Sequence, residues 1–463
     1  MPSVLQGINT MNQRTRLGLF IFIILLIAAV VTRVMPAVQS PDENVHLLRA
    51  DMIAHGQWLL QPDTQRLKGR EGGWVDANLN SFLAAMMPRA GNPPAKVVME
   101  RAKDTNWAGH QVFANSAGTG YYIPLVYVPH AIGLFISRQL DFSIRTSYEL
   151  TRAIVIAISF AIVIWACLLH TPSPLALMLL LTPMSIFQFL SPTIDGLCAS
   201  ITLLIVSIWI LLNREPPGKS ISRLEYLLYL LIFILCSART NLLPALLIPT
   251  LILKNNYSSQ RLIAVLALYT LTLGWIAFGV FSTYDHRVVR TLPTTEIMIR
   301  YLRSPSDFFT LLWDTLLDND FRRFYKHSFI GILGWADTPV SRQSIRIIFS
   351  ALILVALIQA FRAPWRSALE MRGLMLFIFL SSVLLIFFAM AVSWSSYPAL
   401  RIIGVHGRYF TIPAIFLAYA FENLNAEKPA LKPWVIFALL CFSGYSLYAM
   451  TSAVIIQHEM PFF

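Results

Sequence analysis

A short segment after the first apolar run carries side chains that could act together in acid–base and phosphate chemistry. Within 39–50, Asp42, His46 and Arg49 stand at spacings of four and three residues. Such spacings place side chains on one face of an α-helix. A carboxylate there could serve as a general base, and a guanidinium could bind phosphate oxygens. We therefore predict one polar helical face that presents Asp42, His46 and Arg49.

The same segment also reads as an ordinary helix start. Ser40 is a good N-cap, Pro41 suits the first turn, and the helix should end near Gly56. Glu43 follows Ser40 at capping-box spacing, and an acid in the first turn also stabilises the helix dipole. Asp42 and Glu43 are the candidate catalytic carboxylates, and capping is the alternative role, stronger for Glu43 than for Asp42.

Arginines near predicted helix ends are candidates for binding a phosphate group. Arg408 lies in 405–409 at the outer mouth of an apolar segment, and Arg152 lies early in another. With Arg49 and His46 they form the predicted phosphate-binding set, because guanidinium matches phosphate geometry. The alternative is that these side chains pair locally or extend to lipid headgroups without a further role.

Two further acids are candidates for the substrate site. Asp195 stands at the predicted outer end of a span, where an ionisable residue suggests function. Asp337 follows a glycine-containing loop. The alternatives are a helix cap for Asp195 and a turn residue for Asp337. Asp42, Glu43 and Asp195 could converge on a divalent cation, but no spacing requires one, and the sequence favours a site without metal.

The composition requires a membrane environment for these residues. The chain has 463 residues, 56% of them hydrophobic and 13% charged, with a mean hydropathy of +0.62. Soluble domains are roughly 45–50% apolar and about 25% charged. Spanning helices satisfy their own backbone groups in lipid, so we predict an all-α polytopic bundle. The net charge of +12 fits basic cytoplasmic turns better than nucleic acid, and the four cysteines show neither disulfide nor metal spacing.

The apolar runs predict a single transmembrane domain, 1–463, with about eleven spans. Two long hydrophilic segments share the outer side: a first periplasmic loop at 39–147, expected to hold the catalytic residues, and a second at 282–343. The stretch 121–137 contains two prolines and is short for a span, so we read it as re-entrant or interfacial. Basic short turns place the N-terminus in the cytoplasm. The predicted spans are 17–34, 148–169, 174–191, 196–212, 225–238, 242–253, 262–281, 344–361, 373–392, 409–421 and 433–452.

Five short motifs, in order, resemble a bacterial membrane family known as domain of unknown function 2142. They begin with Pro-Asp-Glu-x-x-His-x-x-Arg-Ala after the first apolar run and cover about residues 17 to 421. Arg239 stands where the family often has a Lys-Pro pair. The other four motifs are 122–129, 182–195, 331–338 and 407–410.

That family is similar to GT-C glycosyltransferases, including phage-type O-antigen glucosyltransferases. The resemblance implies an acidic catalytic residue in the first periplasmic loop, juxtamembrane helices there, and a polyprenyl-phosphate sugar as donor. Tyr122 and Trp335 lie in its motifs and join Asp195 and Asp337 as candidate acceptor-site residues. The expected protein is an inverting hexosyltransferase of the bacterial inner membrane, acting on an envelope glycan such as O-antigen. The rival class is a transporter or flippase of a lipid-linked glycan, which needs no base.

Overall fold

The computed structural model describes residues 18, 35, 37–63, 69–87, 95–214, 220–283, 292–424 and 432–457. The predicted first span, 17–34, lies outside these residues except for Gly18. Within the described part the chain is mostly helical, with 18 α-helices. They are α1 (Glu43–Ala54), α2 (Ala77–Met86), α3 (Ala95–Lys103), α4 (Val128–Gln139), α5 (Ile144–Leu169), α6 (Pro174–Leu180), α7 (Pro183–Phe189), α8 (Ile194–Arg214), α9 (Arg223–Ala238), α10 (Leu247–Asn255), α11 (Ser259–Ser282), α12 (Thr294–Arg303), α13 (Pro305–Leu317), α14 (Asn319–Ile330), α15 (Arg342–Arg362), α16 (Leu369–Ser393), α17 (Thr411–Ala420) and α18 (Pro433–Gln457).

Six of the described helices are long and apolar enough to cross a membrane. They are α5, α8, α11, α15, α16 and α18, each of at least 21 residues. At 1.5 Å per residue they reach about 30 Å, the thickness of a bilayer core. Helix α8 is the central one, because most of its apolar stretch is buried inside the protein.

Four expected spans are interrupted in the structure or form helices shorter than the ~20 residues that cross a bilayer. The stretch 174–191 forms α6 and α7, because Pro183 lacks an N–H and disfavours helix at the residue before it. Pro244 lies in a 3₁₀ turn, Thr240–Leu246, that precedes α10. The 10-residue α17 follows the 3₁₀ turn Gly407–Phe410, and α9 has 16 residues.

The first long hydrophilic segment folds around a small antiparallel sheet. Its strands are β1 (Gln61–Pro62), β2 (Arg70–Asp76) and β3 (Gln111–Asn115), with β2 in the middle. Helix α4 follows the 3₁₀ turn Pro124–Tyr127 and has 12 residues, about 18 Å, which is too short to span. Ile132, Phe135 and Ile136 of this helix are exposed, and the interfacial placement of the stretch stays a prediction.

The second long hydrophilic segment contains helices α12, α13 and α14 and a hairpin of β4 (Ile332–Leu333) and β5 (Thr338–Pro339). The sequence analysis predicted no helices here. Aromatic and aliphatic side chains of α12 and α13 share a buried cluster with the last turns of α16. This segment therefore packs directly onto the end of a spanning helix.

Candidate functional site

The backbone holds Asp42 at the boundary of α1. Its φ of 66° is left-handed, a conformation that Asp tolerates better than most residues. The Asp42 carbonyl accepts from His46 N at 3.0 Å, whereas its carboxylate makes no capping hydrogen bond to its own helix. The carboxylate instead accepts from Arg408 Nη2 at 2.9 Å, and the Asp42 side chain is 43% exposed. An accessible acid is thus paired with a cation 366 residues away in sequence.

Glu43 is turned into the protein and supports the segment before the helix. Its carboxylate accepts from Val38 N and Ser40 N, both at 3.0 Å, and from Tyr148 Oη at 2.6 Å. Burial raises the pKa of Glu43. The bond from Ser40 N is one half of the predicted capping box, but Ser40 Oγ has no hydrogen-bond partner among the described residues. These contacts fit a positioning role for Glu43, beside the exposed Asp42.

A tight crossing between α14 and the 3₁₀ turn Gly407–Phe410 fixes Arg408. Gly407 N donates to Ser328 Oγ at 2.8 Å, and a Cβ on Gly407 would lie 2.2 Å from Phe329 N. His406 Nδ1 accepts from Arg408 N at 3.3 Å. The sequence therefore needs glycine at 407 for the backbone to approach α14 and to direct the next side chain towards Asp42.

Arg408 is buried yet incompletely bonded. Its side chain is 7% exposed, and its guanidinium carbon lies 5.2 Å from the centre of the Tyr409 ring. Among the described residues, Arg408 Nε and Nη1 have no hydrogen-bond partner. Because a desolvated donor without a partner costs about 1–3 kcal/mol, such an arginine suits the binding of an anion.

A second acid–arginine pair lies beside the first, and its arginine was not predicted as a site residue. Asp195, in the first turn of α8, forms an ion pair with Arg239, which follows the last residue of α9. The Arg239 guanidinium lies 5.6 Å from the centre of the Tyr122 ring, and its Nε has no hydrogen-bond partner in the described part. The signal in the sequence was an arginine directly after an apolar segment.

One cleft joins the two pairs. Arg408 and Asp195 both line it, and it has about 340 Å³ of empty space, including space open to the outside. The other lining residues are Met184, Ser185, Gln188, Phe189, Gly196, Ala199, Thr411 and Ile412. Apolar walls with a few convergent polar groups are typical of ligand sites.

The predicted His46 lies behind Asp42 as a neutral ring. His46 Nδ1 and Tyr127 Oη share a hydrogen bond of 2.8 Å, and the Tyr122 ring centre lies 6.3 Å away. Burial lowers the pKa of His46 to about 3, although Asp42 opposes this shift. At neutral pH this ring therefore carries no charge with which to attract a phosphate.

Two other predicted arginines hold backbone carbonyls. Arg49 donates to Gln57 O at 3.2 Å and to Trp58 O at 2.5 Å. Arg152 donates to Leu190 O at 2.6 Å and to Met35 O at 3.2 Å, while its Nη2 has no partner among the described residues. Arg49 thus anchors the turn after α1.

The hairpin β4–β5 places Trp335 near the start of α1 and leaves Asp337 bonded within the hairpin. Trp335 Nε1 donates to Val38 O at 3.2 Å, and Asp337 Oδ1 accepts from Thr338 Oγ1 at 3.0 Å. Both side chains are half-buried. The indole therefore touches the same turn that Glu43 supports.

The three carboxylates considered for a divalent cation, those of Asp42, Glu43 and Asp195, each face a different partner. Asp42 pairs with Arg408, Asp195 pairs with Arg239, and Glu43 faces Tyr148. Across the residues that the structure describes, no three His, Cys, Asp or Glu side chains form a group that could hold a metal ion.

The apolar helices define a multi-pass membrane protein. The family model described as "Predicted membrane protein (DUF2142)" matches residues 21–418, and the chain belongs to that family. This confirms the family resemblance of the five motifs. No curated protein and no solved structure matches the chain.

Proposed function

We propose that the protein is an inverting glycosyltransferase that moves a sugar from a polyprenyl phosphate to an envelope glycan. The main support is the ion pair between half-exposed Asp42 and buried Arg408. Within the described residues, Arg408 Nε and Nη1 have no hydrogen-bond partner and could bind a phosphate. The family resemblance to GT-C enzymes supports the same reaction. The carboxylate can accept the proton of the acceptor hydroxyl, and the guanidinium can stabilise the leaving phosphate.

Asp42 is the general base of the proposed step. Its carboxylate takes the proton of an acceptor hydroxyl as that oxygen bonds to the anomeric carbon. The bond from this carbon to the phosphate oxygen breaks, and the lipid phosphate leaves with the electron pair. Attack opposite the leaving group inverts the anomeric centre.

Arg408 and Arg239 stabilise the departing phosphate. Arginine binds phosphate oxygens with directed N–H groups, and such charge-assisted bonds are stronger than neutral ones. Arg408 could bond phosphate through Nε and Nη1 while its Nη2 stays on Asp42. In this way one guanidinium links the base to the leaving group.

The proposal includes a GT-C-like topology of about eleven spans in the bacterial inner membrane, with a cytoplasmic N-terminus and a periplasmic site. The short α4 supports it, because a helix that does not cross leaves the following spans in the predicted order. Helix α8 supports it too. Its Asp195 end lines the cleft, and its other end carries Arg214, one of the basic residues that predict the cytoplasmic side.

Mass analysis of envelope glycan tests the function. When the gene is deleted from the bacterium that carries it, the mass of one envelope glycan should fall by the mass of one sugar. The wild-type gene and Asp104→Asn, an exposed acid of the same loop, should restore that mass. Asp42→Asn, expressed at an equal level, should not.

An unchanged glycan in cells without the gene would contradict a glycosyltransferase. Full restoration by Asp42→Asn would contradict the base and favour the rival transporter class, because moving a lipid-linked glycan needs phosphate contacts but no proton acceptor.

A further inference from the structure

Helix α13 has one face packed on the bundle. Phe308 and Leu311 are buried together with Phe387 and Val392, residues from the last turns of α16. The Phe308 and Phe388 rings lie 5.2 Å apart, edge to face. Because α16 is long and apolar enough to span a membrane, its end marks the edge of the bilayer core. Helix α13 therefore lies at that edge.

A second face of α13 is apolar and uncovered. Phe309, Trp313 and Leu317, which we call the α13 stripe, follow each other at four-residue intervals and are 53%, 64% and 55% exposed. Leu302, at the end of α12, adds an apolar side chain that is 63% exposed. Four large apolar side chains in water would be costly, at about 25 cal/mol per Å².

A third face of α13 is polar. Thr310 and Asp314 are exposed and follow Phe309 and Trp313 by one residue each, which is about 100° around the helix. A helix surrounded by lipid would carry no such face, and a helix in water would not carry the α13 stripe. This division into apolar and polar sides is typical of helices that lie in the membrane interface.

We infer that α13 lies in the plane of the bilayer interface, with the α13 stripe among lipid acyl chains and Asp314 facing water. Exposed Arg303, the last residue of α12, suits anionic headgroups, and tryptophan favours this depth. The stripe is continuous with the buried surface of α16, a membrane span, and this continuity favours lipid over a protein partner.

The placement has a consequence for the cleft. Helix α14 follows α13 directly, and its backbone touches Gly407. An interfacial α13 would hold Arg408 close to the level of lipid phosphates. This consequence, unlike the placement itself, rests on the proposed function, and it fits a lipid-linked donor better than a water-soluble one.

Fluorescence quenching by lipid tests the placement. Trp313→Cys and Asp314→Cys are made separately in the full chain with Cys441, the exposed cysteine, changed to Ser. Each protein is labelled with an environment-sensitive thiol probe and placed in nanodiscs that contain acyl-brominated phosphatidylcholine. The probe at 313 should be quenched several-fold more strongly than the probe at 314, and Phe309→Cys should repeat the result at 313.

Equal quenching at 313 and 314, or none at 313, would overturn the inference. Shielding of position 313 that grows with protein density in the nanodisc would also overturn it, because a second copy would then cover the stripe. None of these readouts requires glycosyl transfer, so the inference and the proposed function fail separately.

Discussion

The two ends of α8 lie about 30 Å apart, and Arg372 and Arg261 near one end are bonded differently from Arg408 and Arg239 near the other. At the Arg214 end, Arg372 donates through all three nitrogens to the carbonyls of Ser367, Ala420 and Glu422. Arg261, at the same end, binds both oxygens of buried Glu225 and two backbone carbonyls. At the Asp195 end, Arg408 and Arg239 each keep N–H groups without hydrogen-bond partners among the described residues.

This difference separates structural arginines from candidate binding arginines. A buried guanidinium whose donors are all used binds the carbonyl groups near helix ends and stabilises the fold. A buried guanidinium with unused donors costs stability unless something binds it, since each desolvated donor without a partner costs about 1–3 kcal/mol. We therefore expect substitutions at the Arg214 end to change folding, and substitutions at the Asp195 end to change binding and turnover.

Arg261→Ala should give the largest loss of stability. It would leave the buried Glu225 carboxylate without its cation, and breaking a buried pair in this way costs about 3–5 kcal/mol. Unfolding of the purified protein in detergent measures the change. Lys254→Ala is the matched control, because its pair with Glu370 is exposed and is expected to contribute little to stability. An equal loss of unfolding free energy in the two variants would contradict a structural role for the buried Arg261.

Arg408→Gln should leave the unfolding free energy nearly unchanged but weaken the binding of polyprenyl phosphate. Hydrogen bonds to charged groups contribute about 1.5–3 kcal/mol, which corresponds to a roughly 10- to 100-fold loss of affinity. Titration of polyprenyl phosphate into nanodiscs measures the affinity, with Arg362→Gln, at an exposed arginine of α15, as the control. Unaltered affinity would show that Arg408 is not a phosphate ligand.

Gly407→Ala should displace Arg408. The new methyl group would lie 2.2 Å from Phe329 N and 2.3 Å from Tyr325 O. Both are backbone atoms of α14, so the helix or the turn would have to shift. Overpacking of this kind costs about 1–3 kcal/mol. Gly444→Ala on α18 is the control, because a methyl there meets nothing within 4 Å. A Gly407→Ala protein as stable and as active as wild type would argue against the tight crossing.

His46 should make stability depend on acid pH. Burial lowers its pKa from 6.5 to about 3, so the unfolded chain takes up a proton before the folded chain does. This contribution to stability is therefore complete above pH 6.5 and is lost as the pH falls towards 3, at about 1.4 kcal/mol per unit.

His46→Gln, which can keep a hydrogen bond to Tyr127, should flatten the pH dependence. Unfolding measured between pH 6.5 and 5 shows the difference from wild type, and the exposed His110→Gln should leave the slope alone. An equal slope in wild type and His46→Gln would mean that the ring is charged or solvated.

Local patterns predicted the start of the site well. The helix expected from about Pro41 to Gly56 is α1, Glu43–Ala54, and the stretch 121–137, considered short for a span, contains the 12-residue α4. Helix spacing correctly placed Asp42 near His46. It could not show that the long Arg49 side chain reaches Trp58 O, because that contact depends on the turn after the helix.

Contacts between segments that are distant in the sequence could not be predicted. The pairing of Asp42 with Arg408 joins segments 366 residues apart, and no local pattern specifies it. Arg239 was noted as a departure from the family pattern, yet it pairs with Asp195 beside Tyr122. Pro183 could have predicted the break between α6 and α7, and the four-residue interval of Phe309 and Trp313 could have predicted α13.

The most direct test of the central claim is turnover of a defined donor by purified protein in nanodiscs. Undecaprenyl phosphate carrying a radiolabelled hexose is mixed with isolated envelope glycan, and label in the glycan is counted for wild type, Asp42→Asn and Asp104→Asn. We expect Asp104→Asn to match wild type and Asp42→Asn to be about 10²- to 10⁴-fold slower with donor binding retained. Transfer by Asp42→Asn at the wild-type rate would contradict the account.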